Sequence, residues 1–198
     1  MEKEEIYTLE ILNKIEENGR VTQPEIARQL GISLGLTNAF IKRIAKKGYI
    51  KLTTIPRDRV KYLLTPKGIV EKTRLSFKYF QYSLNFYRNA KAILSRAYRL
   101  LHSQGVRNIV FYGTGEVAEI AYILLQQNHM QLVGVVDEKG RGRKFLRYKV
   151  GSLEELKRYR FDKIIITSFH PSTDIIRKLK KAGIPEDKIF PLDKVTLT

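Results

Sequence analysis

Thr22-Gln23-Pro24-Glu25-Ile26-Ala27-Arg28-Gln29-Leu30-Gly31-Ile32-Ser33 decides the reading of the amino-terminal third of the chain. Thr22 is an N-cap residue with Glu25 three positions on, the spacing of a capping box, and Pro24 stands in a first turn that needs no amide. Gly31 then breaks the helix. The stretch predicts a short helix, a tight turn and, after Ile32-Ser33, a further helix over 36–47. Ile41 and Ile44 fall on the inner face of that helix, and Thr37, Asn38, Lys42, Arg43 and Lys46 are expected on its polar side. Upstream, Ile6, Leu9, Leu12 and Ile15, with Ile11 beside them, recur at helical spacing and stop at Glu17-Asn18-Gly19.

Two short helices joined by a glycine turn form the unit that lays its second helix in a major groove. Asn and Arg can pair with base edges, whereas Lys and Thr often hold phosphates. Downstream, residues 49–55 read as a strand, Pro56-Arg57-Asp58-Arg59 as a turn and residues 60–64 as a returning strand, a basic hairpin whose Arg57 and Arg59 can reach an adjacent groove or backbone. The candidate DNA-binding residues are therefore Thr37, Asn38, Lys42, Arg43, Lys46, Arg57 and Arg59. Such a module can also serve protein contact. The charge supports DNA: the chain carries +17, and residues 41–67 hold nine Lys or Arg opposed only by Asp58.

The order of helix, helix-turn-helix, basic hairpin and Leu64-Thr65-Pro66-Lys67-Gly68 resembles MarR-type winged-helix regulators over about residues 4–75. That resemblance implies binding of double-stranded DNA, usually as a dimer. From Leu75 to Leu101 neither Gly nor Pro occurs, and Tyr79, Tyr82, Phe86, Ala90, Ile93, Ala97 and Leu100 form an apolar seam with helical steps. A second stripe runs through Phe80, Leu84, Tyr87, Leu94, Tyr98 and Leu101. A long helix with two apolar faces needs partners, either a second copy of the chain, giving a homodimer, or a neighbouring domain that it braces.

The carboxy-terminal half follows another grammar. Residues 106–112 have the density of a buried strand and run into Gly113-Thr114-Gly115-Glu116-Val117-Ala118, a helix to about 127, and the apolar strand Leu132-Val133-Gly134-Val135-Val136 ending at Asp137. Strand, glycine turn, helix, strand and acid resemble a Rossmann dinucleotide-binding half. Free amides at the helix start can hold a phosphate, and Asp137 is placed to accept from ribose hydroxyls. Residues 163–167 read as another buried strand with Ser168 and His170 just past its end, and 171–182 as a helix. The Gly134-Val135-Val136-Asp137 strand end, Gly151-Ser152-Leu153 and Ala182-Gly183-Ile184-Pro185 resemble the small domains that accompany sugar-nucleotide enzymes, among them the nucleotide-sugar acetyltransferase N-terminal domain. The Rossmann resemblance implies an NAD-like dinucleotide and this second one a nucleotide or nucleotide-sugar as effector, with Gly113, Thr114, Gly115, Glu116, Asp137, Ser168 and His170 as the candidate binding residues. The alternative is a ligand-free scaffold in which the glycines only make a tight turn. Arg141, Arg143 and Lys144 can meet a phosphate or form a plain charged loop.

The expected fold class is α/β in two domains: a winged helix-turn-helix at 1–74, a long connecting or dimerisation helix at 75–104, and a small, mostly parallel Rossmann-like sheet at 105–198. The expected function is a sequence-specific transcriptional regulator, in overall plan resembling the redox-sensing repressor Rex. No catalytic residues and no metal site are expected: Cys is absent, the three His are scattered, and His170 has no paired acid or nucleophile in sequence. A small nucleotide-sugar enzyme with an accessory winged helix, or a protein-interaction adaptor, is the alternative. Neither an amino-terminal apolar run nor a stretch of about 18 apolar residues occurs, so a cytoplasmic protein without a membrane span is expected.

Overall fold

The computed structural model describes residues 1–55 and 59–195, with side chains described outside 54–59. The chain divides into two units, Met1–Asn85 and Phe86–Thr198. In the first, helix α1 (Lys3–Glu17) precedes α2 (Gln23–Leu30) and α3 (Leu34–Lys46), and strands β1 (Ile50–Ile55) and β2 (Arg59–Leu64) pair antiparallel. Leu9, Leu12 and Ile15 of α1, which repeat at helical steps, are buried, and Leu12 and Ile15 with Ile11 pack in one cluster with Ile26, Phe40, Ile41, Ile44, Ile50 and Tyr62. Each buried aliphatic contributes on the order of 1.5–3 kcal/mol of transfer free energy.

Helix α4 (Pro66–Ser103) begins nine residues before the expected start and is continuous for 38 residues. Thr65 sets its start: the Gly68 amide donates to Thr65 Oγ1 at 3.0 Å, while the Thr65 hydroxyl and amide donate to Gly48 and Tyr49 carbonyls. Gly68 is required here because a Cβ would lie 2.0 Å from the Tyr49 carbonyl oxygen. The apolar seam also differs from expectation. Ala90, Leu94, Ala97, Tyr98 and Leu101 are buried, a mixture of the two stripes, whereas Tyr79, Tyr82, Phe86 and Leu100 of the expected contact face are exposed. Both stripes are apolar, so composition could not choose between them.

The second unit is a six-stranded sheet in the order β5-β6-β4-β3-β7-β8, built from β3 (Asn108–Tyr112), β4 (Gln131–Val136), β5 (Lys144–Phe145), β6 (Tyr148–Gly151), β7 (Lys163–Ile166) and β8 (Ile189–Pro191). All neighbours run parallel except the β5–β6 hairpin. Alternation along β3 sends Ile109 and Phe111 into one core, with the buried residues of α4 and α5 (Glu116–Leu125), and Val110 and Tyr112 into the other, with Leu179 of α6 (Thr173–Lys181). Two internal anchors stand out. The buried Tyr98 hydroxyl donates to the Ala121 carbonyl at 2.7 Å, and the Asp162 carboxylate accepts the amides of Arg107 and Asn108, each at 2.8 Å. Those two amides hold the Asp162 carboxyl below the usual carboxylate range. Among the described residues no helix is long and apolar enough to cross a membrane.

Candidate nucleic-acid interface and glycine-loop cavity

The α2–α3 turn is fixed by local chemistry at every step. Thr22 Oγ1 accepts the Glu25 amide while the Glu25 carboxylate accepts the Thr22 amide, and that contact lowers the Glu25 pKa. Gly31 takes φ +62° and donates to Arg28, and Ile32 donates back to Ala27, closing the helix. Ser33 then caps α3 by accepting the Leu36 amide at 3.2 Å. Capping of this kind contributes about 1 kcal/mol per helix start.

Seated this way, α3 turns Thr37, Phe40, Ile41 and Ile44 inward. Thr37, expected on the reading face, is fully buried; its hydroxyl donates back to the Ser33 carbonyl at 3.1 Å, which satisfies it without a partner outside the helix. Asn38 is half-buried, and its Oδ1 is enclosed with no hydrogen-bond partner among the described residues. The outward line is Gly35, Ala39, Lys42 and Lys46, all exposed and separated by four, three and four residues. Gly35 and Ala39 were missed in sequence because neither carries polar chemistry, although the same spacing from Lys46 leads to them. Lys42 and Lys46 have no ion-pair partner among the described residues. Arg43 sits to the side of this line. It pairs with Glu4 of α1 and lies over the Phe40 ring, its guanidinium carbon 5.7 Å from the centroid. Arg57 and the Arg59 side chain lie outside the described residues.

In the second unit β3 ends at the glycine turn. Gly113 takes φ +111°, and a Cβ there would meet Thr167 Oγ1 at 2.9 Å. The Thr167 hydroxyl donates to the Tyr112 carbonyl at 2.9 Å, so this glycine is demanded by the joint between β3 and β7. Gly115 differs: it caps α5 with φ −79°, and nothing lies within 4 Å of where its Cβ would be. The fold alone does not require a glycine there. Asp137 accepts the Thr114 hydroxyl at Oδ2 (2.8 Å) and the Lys139 amide at Oδ1 (2.9 Å), tying the loop after β4 to the glycine turn.

A cavity of about 310 Å3 opens between these segments. Of the seven expected ligand residues only Thr114 and Asp137 line it, joined by Glu119, Lys139, Arg143 and Lys144. Ser168 and His170 stand elsewhere, the Ser168 hydroxyl accepting the His170 amide at 3.1 Å. Glu119 lies one turn into α5, a position that no motif marks. On the other side of β3, burial pushes the Tyr112 phenol pKa up, with Glu138 adding to the shift, and Glu138 is paired with Lys178.

Residues 5–51 match the family model described as winged helix-turn-helix DNA-binding, and residues 105–190 match the model described as C2185-like, N-terminal. No curated protein matches the chain. Among solved structures, the MepR–DNA complex of S. aureus is 21% identical over 43% of this chain and 62% of that one, with a TM-score of 0.37. The PcaV transcriptional regulator from Streptomyces coelicolor is 16% identical over 50% of this chain and 77% of that one, with a TM-score of 0.39. RSP, a Rex-family repressor, is 14% identical over 96% of this chain and 87% of that one, with a TM-score of 0.35. The chain thus spans under two thirds of the length of MepR in that complex, and at these TM-scores the likenesses carry no further inference. With residues 5–51 matching that family model, the geometry shows a winged helix-turn-helix fold at the amino terminus, followed along the chain by a long helix and a separate α/β sheet unit.

Proposed function

We propose that the protein is a sequence-specific DNA-binding transcriptional regulator, acting as a homodimer and controlled by a nucleotide or nucleotide-sugar effector bound in the sheet unit. The observation that carries the reading is the outward line of α3: two small residues followed by two unpaired lysines, on a helix whose opposite face is locked into the core. Gly35 and Ala39 allow the helix backbone to approach base edges closely, and Lys42 and Lys46 meet phosphates. Selection from fragmented genomic DNA at about 0.15 M salt, where nonspecific phosphate contacts are weakened, tests this directly. A recurrent site is expected. Absence of any enriched sequence contradicts the reading.

The dimer rests on α4. Val70, Phe77, Phe80 and Leu84 are exposed, and the last three follow at steps of three and four residues, the spacing of a helix seam. Light scattering at tens of micromolar is expected to give twice the chain mass, about 46 kDa from the 23.0 kDa chain. A monomer, with and without DNA, removes the dimer from the account. The effector reading draws support from Gly115, whose missing side chain leaves open space at the start of α5.

A further inference from the structure

We infer that the cavity beside the glycine turn binds a phosphorylated, hydroxyl-bearing ring, with Arg143 and Lys144 holding the phosphate and Glu119 holding hydroxyls. This deepens the effector reading above and rests on it. The charges on the cavity wall are the starting point. Lys139, Arg143 and Lys144 surround one space of about 310 Å3, and none has an ion-pair partner among the described residues. Lys178, Lys180, Arg177 and Arg158 of the same unit each have a carboxylate within 4 Å, others such as Arg141 and Lys149 have none among the described residues, and what sets Lys139, Arg143 and Lys144 apart is the single space that they line. Three like charges facing a common space repel one another, and an anion placed among them relieves that repulsion.

The acids on the wall narrow the ligand further. Asp137 already holds one donor from the protein on each oxygen. Glu119 is exposed and has no hydrogen-bond or ion-pair partner among the described residues. Inorganic phosphate alone would place its charge beside that carboxylate, whereas a ligand with hydroxyls next to its phosphate satisfies both. Phe145, Leu146 and Val150 add an apolar wall suited to the face of a sugar ring. The volume is at the small end of ligand sites, which suits the sugar-phosphate part of a larger molecule.

The wall is also held in place. Asp137 fixes the loop to Thr114, and the β5–β6 hairpin returns through Leu146, which takes φ +52°. A branched residue in the left-handed region costs on the order of 1 kcal/mol, and such strain gathers at ligand clamps. Leu146 is half-exposed at the edge of the cavity.

Calorimetric titration of the full chain with UDP-glucose, glucose 1-phosphate and pyrophosphate tests the assignment. Both sugar-bearing probes are expected to bind, and the Arg143→Ala/Lys144→Ala variant to bind them about tenfold or more weakly, since each lost charge-assisted contact weakens binding by about that factor. Glu119→Gln is expected to weaken the sugar-bearing probes while leaving pyrophosphate unchanged or tighter. All three substituted side chains are exposed and lack partners among the described residues, so the melting temperature should hold. If UDP-glucose binds equally well to the double variant but is lost in Gly115→Ala, the effector reading survives and this cavity assignment falls. If glucose 1-phosphate binds through Arg143 and Lys144 but UDP-glucose does not, the assignment stands and the nucleotide reading falls. If no probe binds the native chain at about 10 mM, a range weaker than useful recognition, both are overturned.

Discussion

Lys42 and Lys46 of α3 and the cations between residues 72 and 78 of α4 belong to one basic chain but have opposite surroundings. On α4, Lys72 pairs with Glu16, Lys78 with Glu5 at 2.7 Å, and Arg74 with Glu71 at 2.8 Å, so the acids of α1 and of α4 itself neutralise that surface. Those contacts hold the Glu5 and Glu71 carboxyls below their ordinary pKa, chiefly through the hydrogen bonds from Lys78 and Arg74. On the outer face of α3, Lys42 and Lys46 have no such acid among the described residues. A formal charge of +17 therefore says little about where a polyanion docks. Pairing says more, because a cation already held by a carboxylate gains less from a phosphate.

The start of α4 is clamped to the base of the wing through Thr65 and Tyr49, and Gly68→Ala attacks that clamp. With a Cβ 2.0 Å from the Tyr49 oxygen, the helix start must move, and urea unfolding is expected to show a loss of about 3 kcal/mol. A loss under about 0.5 kcal/mol, the range of neutral surface changes, would mean that the helix start gives way freely. Gly115→Ala is the control, expected to leave stability unchanged because nothing occupies the space beside it.

A smaller effect is expected at Asp162, whose carboxylate ties the start of β3 to the loop before β7. Asp162→Ala should cost about 1 kcal/mol, less than a buried charge-assisted contact because solvent screens the site. Since the folded pKa is lowered, this contribution is present above the unfolded carboxylate value of about 3.9 and fades as pH falls through the folded one. A difference between native and variant that shows no decline as the pH is lowered below the unfolded value would contradict this origin. The smallest effect concerns Arg43. Glu4→Gln releases it from its carboxylate and should tighten DNA binding about two- to threefold, the scale of an exposed ion pair. Weaker binding would show instead that Glu4 orients Arg43 toward the duplex.

Much of this organisation was legible in the sequence where one residue type has one local physical role. Thr22 with Glu25, Gly31 and Ser33 set the α2–α3 turn, and the β-branched runs at 106–112 and 163–167 set the central strands. Illegible features were those decided at a distance. Thr37 looks polar, yet its hydroxyl is satisfied within its own helix, so it can be buried. Gly68 stands inside a helix because it serves the approach of α4 to Tyr49. The cavity draws Glu119 from inside α5, a position that no motif marks, whereas Arg143 and Lys144, at the start of β5, are already marked in sequence as able to meet a phosphate.

The central claim is that unpaired cations, rather than total charge, make the DNA interface, and two charge-matched variants test it most directly. Affinity for a selected duplex would be measured against salt for Lys42→Ala/Lys46→Ala and for Lys72→Ala/Lys78→Ala. The first is expected to lose about tenfold or more, with the log–log salt slope shallower by about two, while the second stays within about twofold of the native chain. Equal losses in the two variants would show that net charge alone governs binding and would contradict the account.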